Sequence, residues 1–181
     1  MCESYCRQYG VDFRSAMPTN LYGPGDNYHP KNSHVLPGLI RRFCEAKEKK
    51  QRQVVCWGTG SPYREFLHVD DLGQACVFAL EKWDLDVENA PKDSSGLPLP
   101  FLNVGTGSDI SIKQLASLIA KYVDYDGEII WDTTKPDGTP KKQLDVRRIN
   151  SIGWQSKINI EEGLRDTIKI YKEKNFKILT Y

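Results

Sequence analysis

Residues 11–43 read VDFRSAMPTNLYGPGDNYHPKNSHVLPGLIRRF, and this stretch decides the fold prediction. The short alternating pattern of 11–16 predicts a strand, and apolar residues at helical spacing over 35–50 predict a helix. Prolines and glycines shape the loop 17–35 between them, because proline fixes φ and glycine permits sharp turns. A loop this long between two ordered elements is uncommon unless it has a function. We therefore expect a ligand to bind where this strand ends.

The same patterns alternate strands and helices along the rest of the chain. Residues 1–10 have the character of the last turns of a helix, with Gly10 in the C-cap position. Asp70 and Asp71 are expected to open a helix, and Ser111 with Gln114 forms a capping-box pattern. Residues 83–100 are rich in Pro, Ser and acidic residues and predict an exposed excursion. The remaining predicted elements are strands at 53–57, 64–68, 101–104 and 128–132 and helices at 111–122, 144–152 and 160–171.

Composition excludes several classes of protein. The 181 residues are 39% apolar and 27% charged, which is typical of one soluble globular domain. A formal net charge of +1 gives no electrostatic footprint for nucleic acid or for an anionic membrane. The basic run 47–52 is expected to be a solvated helix end. No apolar stretch approaches the roughly 20 residues of a membrane span, and the N-terminus lacks a signal-peptide pattern.

The five cysteines point to reduced thiols. They are odd in number and include neither a C-x-x-C pair nor a histidine at ligand spacing, which argues against a disulfide framework and against a zinc site. We expect no metal, and we expect a cytoplasmic protein.

Several motifs in fixed order resemble one family. They are Pro18 to Pro24 (PTNLYGP), Asn32 to His34 (NSH), Trp57 to Gly60 (WGTG), Arg64 to Leu72 (REFLHVDDL), Asn103 to Gly107 (NVGTG), Lys135 to Pro140 (KPDGTP) and Gly153-Trp154. The REFLHVDDL and NVGTG motifs look like the extended short-chain dehydrogenase/reductase superfamily at large. The loops that carry His34 and Lys135 narrow the resemblance to the GDP-L-fucose synthase family.

The resemblance implies an α/β fold, namely the C-terminal substrate-binding part of a Rossmann-type enzyme whose N-terminal G-x-G-x-x-G half is absent. Residues 1–34 are then a remnant of the dinucleotide-binding domain, and 35–181 are a substrate-binding α/β domain. The family's Tyr-x-x-x-Lys pair, its Ser and its catalytic Cys are expected to precede Met1. The chain is accordingly expected to be a fragment or a truncated homologue, inactive alone.

The implied reaction converts GDP-4-keto-6-deoxy-D-mannose to GDP-L-fucose by double epimerisation and keto reduction with NADPH. Epimerisation beside a ketone needs one group to remove a proton and an acid to return one to the opposite face. By resemblance the acid is His34, since imidazole donates a proton near neutral pH. His29 ranks second. His68 lies in an apolar strand context that favours a structural histidine, and His34 itself could instead be a loop histidine bonded to backbone carbonyls.

The resemblance also implies two sets of binding residues. Contacts to the nicotinamide of NADP(H) are expected from Pro18, Thr19, Asn20, Leu21 and His34. Contacts to a GDP-sugar substrate are expected from Arg42, Trp57, Arg64, Asp137 and Lys142. Arginine forks and lysine match pyrophosphate oxygens. Trp57 could alternatively pack in the core, and Asp137 is a turn former first.

The chain departs from the family pattern at one place, and other functions stay open. Lys141-Lys142 stands where the family favours Arg beside Lys, which removes a bidentate fork. The chain could instead be a non-catalytic nucleotide-sugar binding module or half of a split enzyme, or part of a related nucleotide-sugar dehydratase or epimerase. The family is homodimeric, and the oligomeric state of this chain is left open.

Overall fold

The structure is a computed structural model that describes residues 1–84, 88 and 90–178, with the backbone alone described for Glu3 and 174–178. Helices and strands alternate along it. In chain order they are α1 (Cys2–Tyr9), β1 (Ser15–Pro18), β2 (Asn20–Tyr22), α2 (Val35–Glu48), β3 (Gln53–Trp57), β4 (Tyr63–His68), α3 (Val69–Lys82), β5 (Phe101–Val104), β6 (Asp109–Ser111), α4 (Ile112–Val123), β7 (Glu128–Asp132), β8 (Lys141–Lys142), α5 (Arg147–Ser151) and α6 (Ile160–Ile178).

Strand β4 organises the molecule because it pairs with three others. Its first half lies between β6, which is antiparallel, and β8, which is parallel, with Arg64 opposite both Ile110 and Lys142. Its second half pairs in parallel with β2, where Asn20 lies opposite Phe66. The other strands form the parallel pairs β1–β5 and β3–β7. Parallel pairing requires crossover connections, which is the α/β architecture expected from the sequence.

Two apolar cores flank these strands. The larger is built from the inner faces of α2, α4 and α6 with β3, and includes Ile40, Phe43, Ile119 and Leu164, each fully buried. The second lies under α3 and α5 and includes Trp83. Helix α4 begins with the expected capping box, in which the Ser111 hydroxyl accepts from the Gln114 N–H at 3.1 Å. Gly10 ends α1 in the left-handed conformation, also as expected.

Several boundaries differ from the sequence predictions. The first strand begins at Ser15, not Val11, because pairing with β5 starts opposite Phe101. The loop expected from Met17 contains the end of β1 and all of β2, so the irregular segment is 23–34, called the His34 loop below. The helix expected at 144–152 is α5, which has only five residues. Strand β6 has three residues and β8 has two, and neither was predicted from the sequence.

The start of α3 and the exposure of segment 83–100 also differ from the predictions. The N-cap of α3 is His68, whose ring accepts from the Asp70 N–H at 3.3 Å, and Asp70 and Asp71 lie in the first turn. In 83–100, Trp83, Ala90 and Leu99 are buried, so the segment is only partly exposed. Its residues 85–87 and 89 lie outside the described residues.

The boundary predicted after residue 34 stays a prediction. Strands β1 and β2 precede it and pair with β5 and β4, which follow it. Across the described part of the chain, no helix has the length and apolar character that a membrane crossing requires. All five cysteines are free thiols.

Candidate functional site

A cleft of about 880 Å³ opens where β1 and β2 meet the first half of β4. Its walls come from three places: the β1–β2 connection, the His34 loop with the start of α2, and the β4–β8 pair. Its lining residues are Pro18, Thr19, Asn20, Leu21, Asp26, His34, Val35, Leu36, Pro37, Arg64, Phe66, Lys142, Gln143 and Leu144. The cleft therefore brings together all five residues predicted to contact the cofactor and two of the five predicted to contact the substrate.

The β1–β2 connection is fixed by hydrogen bonds to the neighbouring strands. The Thr19 N–H donates to the Val104 carbonyl at 3.0 Å. The Thr19 hydroxyl and the Asn20 amide both donate to the Glu65 carbonyl, at 3.3 and 2.8 Å. The change of pairing partner from β5 to β4 at Thr19 thus places the Pro18–Leu21 backbone in the cleft wall.

Glu65 is a site residue that sequence reasoning missed. Its side chain is fully buried. Its Oε1 accepts from the N–H groups of Thr106 and Gly107 at 2.6 and 2.8 Å, and its Oε2 accepts from the Leu144 N–H at 2.7 Å. A side chain at Gly105 would collide with this carboxylate. Glu65 therefore joins the REFLHVDDL and NVGTG motifs to the segment that carries Lys142. The co-occurrence of the two motifs was the sequence signal that could have identified Glu65.

Two cations occupy the β4 side of the cleft. The Arg64 Nη1 donates to the carbonyls of Tyr63 and Thr139, both at 2.6 Å. A Cβ added at Gly138 would lie 3.0 Å from Arg64 Nη2, so glycine leaves room for the guanidinium. Lys142 lies opposite Arg64 in the β4–β8 register and is exposed. This wall can meet a dianionic ligand with one fork and one point charge.

His34 faces the cleft as the N-cap of α2 and is exposed. Its backbone is extended, and its imidazole makes no hydrogen bond within the described part of the chain. The alternative of a histidine satisfied by backbone carbonyls is therefore wrong. An exposed imidazole at the rim of a cleft is free to exchange a proton with a bound ligand.

The other two histidines have structural contacts. The His29 Nδ1 accepts from the N–H groups of Lys31 and Asn32 at 3.2 and 3.3 Å, which shapes the His34 loop. His68 is buried, caps α3 and packs edge-on against Tyr22, with ring centroids 5.3 Å apart. Neither lines the cleft.

Asp26 is a second residue that sequence reasoning did not select. Its Oδ1 accepts from the Asn27 N–H at 2.7 Å, while its Oδ2 is buried without a hydrogen-bond partner in the described residues. Burial raises the pKa of the Asp26 carboxyl, and the Asn27 N–H and the charge of His34 act against that rise. The carboxylate and the imidazole therefore share one wall of the cleft.

The remaining predicted substrate residues do not line the cleft. Arg42 lies 5.9 Å above the Trp57 ring, and Lys135 lies 5.8 Å from the same ring. The Thr59 N–H and hydroxyl donate to Asp137 at 2.9 and 2.6 Å, which lowers the pKa of the Asp137 carboxyl. We call these five residues the Trp57 group. Since Trp57 is 65% exposed, the alternative that it packs in the core is wrong.

The sequence of this chain matches one protein-family model and several curated proteins. Residues 1–90 match the model of the NAD dependent epimerase/dehydratase family. The chain is 51% identical over 173 residues to a probable GDP-L-fucose synthase 1 of Oryza sativa subsp. japonica, covering 96% of this chain and 49% of the relative. It is 51% identical over 174 residues to GDP-L-fucose synthase of Escherichia coli K12, covering 96% and 53%. The chain thus spans about half the length of the curated relatives it matches.

Solved structures agree with the fold. A GDP-6-OMe-4-keto-L-xylo-heptose reductase from C. jejuni superposes with a TM-score of 0.84 at 33% identity, covering 97% of this chain and 58% of that one. A GDP-L-fucose synthetase from Naegleria fowleri bound to NADP superposes with a TM-score of 0.77 at 26% identity, covering 96% and 51%. The fold of this chain is therefore the α/β, Rossmann-type fold of these neighbours, over about half of their length.

Proposed function

We propose, since this chain belongs to the NAD dependent epimerase/dehydratase family, that it is the substrate-binding part of an NADP-dependent GDP-L-fucose synthase. The whole enzyme would convert GDP-4-keto-6-deoxy-D-mannose to GDP-L-fucose by double epimerisation and keto reduction. The observation that carries the proposal is the cleft, which gathers His34, Arg64, Lys142 and the Pro18–Leu21 wall. Its location at strand ends is where α/β proteins bind ligands.

The charges of the cleft suit a nucleoside diphosphate. Arg64 and Lys142 lie opposite each other on paired strands, so their cationic groups approach from the same side. Two adjacent phosphates present two negative charges to such a wall. The pyrophosphate would lie along β4 and β8, with the sugar directed toward the His34 loop.

His34 would act as the acid that returns a proton during epimerisation. The imidazole is exposed, lines the same cleft as the two cations and has no competing hydrogen bond in the described part of the chain. The keto reduction needs a hydride from NADPH, whose nicotinamide would lie against the Pro18–Leu21 backbone. Removal of the proton would require a base from the dinucleotide-binding half of the enzyme.

The Trp57 group would extend the site toward the nucleobase or a sugar of the bound ligand. A side chain at Gly138 would meet the Arg64 guanidinium, and Gly138 follows Asp137 directly, so the two regions are adjacent. Trp57 offers a flat, exposed ring with two cations nearby. We expect this group to contact the part of the ligand that the cleft leaves uncovered.

Cytoplasmic location, NADP(H) as cofactor and a homodimeric whole enzyme complete the proposal. The cofactor and the homodimer rest on the resemblance to GDP-L-fucose synthases, and the cytoplasmic location rests on the free cysteines. Nothing in the net charge of +1 favours nucleic acid or a membrane surface as a partner.

Isothermal titration of the purified chain with GDP, GDP-mannose and UDP-glucose tests the binding function. We expect GDP and GDP-mannose to bind and UDP-glucose to bind at least tenfold more weakly. Stronger binding of UDP-glucose would favour a related epimerase instead. No binding of any of the three would contradict a self-sufficient nucleotide-sugar site.

Turnover is tested by adding the separately expressed dinucleotide-binding half of the E. coli relative with NADPH and GDP-4-keto-6-deoxy-D-mannose. We expect NADPH consumption only with both halves present. Binding without turnover in this mixture would favour the non-catalytic module.

A further inference from the structure

Two side chains on the loop side of the cleft have complementary hydrogen-bonding atoms that are unpaired among the described residues. The Asp26 Oδ2 is buried and receives no donor in the described part of the chain. The His34 imidazole lies on the same cleft wall and has no acceptor there. A buried carboxylate oxygen without a partner is costly, so such a group in a native site calls for a donor.

The groups that interact with Asp26 narrow the choice of that hydrogen-bond donor. The Asn27 N–H already binds the other carboxylate oxygen at 2.7 Å. The titratable side chain whose charge lowers the pKa of Asp26 is His34, and Asp26 in turn contributes, after burial, to raising the pKa of Tyr28 to about 12. Of these two, only His34 lines the cleft. It is therefore the donor that the geometry favours.

We infer that Asp26 is the positioning residue for His34: the two side chains are not hydrogen-bonded in this structure, but rotation of the exposed imidazole would bring an N–H to the Asp26 Oδ2, which would then fix the orientation and tautomer that the ring presents to the cleft. This inference rests on the proposed function, because it concerns the same cleft. A histidine that delivers a proton to one face of a sugar must have one nitrogen directed at the ligand. An acceptor for the other nitrogen selects which one that is.

The tautomer of His34 provides a direct test in this chain. The sequence contains three histidines, so the ring ¹⁵N resonances of a labelled sample can be assigned with single His→Gln variants. At alkaline pH, we expect one dominant tautomer for His34 in the parent chain and a mixture of both in Asp26→Asn. His29 and His68, which hold other partners, serve as internal controls and should not change. An identical tautomer ratio for His34 in both proteins would overturn the inference.

A second test reverses the roles of the two residues. The pKa of Asp26 is measured from its carboxyl ¹³C shift in the parent chain, His34→Gln and His29→Gln. We expect His34→Gln to raise the pKa of Asp26, because a positive charge that lowers it is removed. His29→Gln should leave it unchanged. Equal Asp26 titration in the parent and His34→Gln proteins would contradict the pairing, even if Asp26→Asn had failed to fold.

The two proposals fail in distinguishable ways. Neither measurement uses turnover or a ligand, so a chain that binds no GDP but shows the Asp26–His34 coupling would contradict only the proposed function. A chain that binds GDP without the coupling would overturn only the positioning role.

Discussion

On the β4 side of the cleft, the buried carboxylate of Glu65 accepts hydrogen bonds on both oxygens, whereas on the loop side the Asp26 Oδ2 has none in the described residues. Arg64 is likewise bonded to two backbone carbonyls, while the His34 imidazole is not bonded in that same part of the chain. Each wall thus carries a carboxylate and a basic group. On the β4 wall both are hydrogen-bonded, whereas on the loop wall the Asp26 Oδ2 and the His34 imidazole have no hydrogen bond in the described residues.

This difference separates scaffold from chemistry. Satisfied groups fix geometry, because breaking a buried hydrogen bond is costly. Unsatisfied groups at a cleft are available to a ligand or to each other. We therefore expect changes in the β4 wall to reduce stability or binding, and changes in the loop wall to alter proton transfer with little effect on either.

Glu65→Gln is expected to be the most damaging of these substitutions. The amide can accept on one side only, so at least one of the buried N–H groups loses its acceptor. We expect the free energy of unfolding to fall by about 3 kcal/mol, measured by urea denaturation. Glu128→Gln, which changes an exposed carboxylate on β7, is the matched control and should stay within about 0.5 kcal/mol. Equal losses in both variants would show that the Glu65 carboxylate does not hold the wall.

Arg64→Ala should weaken GDP binding by about tenfold to a hundredfold, since a charge-assisted contact to phosphate contributes about 1.5–3 kcal/mol. Isothermal titration measures this change. Arg147→Ala is the control, because Arg147 is exposed and paired with Asp145. Unchanged affinity in Arg64→Ala would contradict the assignment of the pyrophosphate to the β4 wall.

Trp57→Ala tests whether the Trp57 group belongs to the same site. The ring is exposed, so stability should change by less than about 0.5 kcal/mol. GDP affinity should fall by about threefold to tenfold, if stacking contributes about 1 kcal/mol. A loss of stability without a loss of affinity would make Trp57 a structural residue.

His34→Gln should change GDP affinity less than about twofold and stability by less than about 0.5 kcal/mol, because the imidazole is exposed. In the reconstituted mixture, solvent deuterium incorporation into the product should be lost or stereochemically altered. His29→Gln is the matched loop control. Normal epimerisation by His34→Gln would remove this residue from the acid role.

The smallest expected effect concerns the pH dependence of the Thr59–Asp137 contact. Hydrogen bonds from Thr59 lower the pKa of Asp137 in the folded state. The stabilisation is therefore present above the ordinary aspartate pKa and is lost as pH falls through the lowered one. Thr59→Val should move the pKa of Asp137, read from its carboxyl ¹³C shift, back toward the ordinary value. An unchanged Asp137 titration would assign the lowered pKa to another neighbour.

The alternation of strands and helices and the position of the His34 loop could be predicted from the sequence, and the family resemblance pointed to seven of the fourteen residues that line the cleft. These features have local causes: proline and glycine shape the loop, and apolar spacing marks α2, α4 and α6. The capping box at Ser111 and the left-handed cap at Gly10 were predictable for the same reason, because they depend on residues within a few positions.

The remaining features depend on tertiary contacts. Strands β2, β6 and β8 are too short for a periodic signal and exist because β4 supplies their hydrogen-bond partners. The position of Trp57 outside the cleft, the burial of Trp83 and the hydrogen bonds of Glu65 depend on contacts between residues far apart in the chain. Such contacts follow from packing and hydrogen-bond satisfaction in three dimensions, which local pattern does not encode.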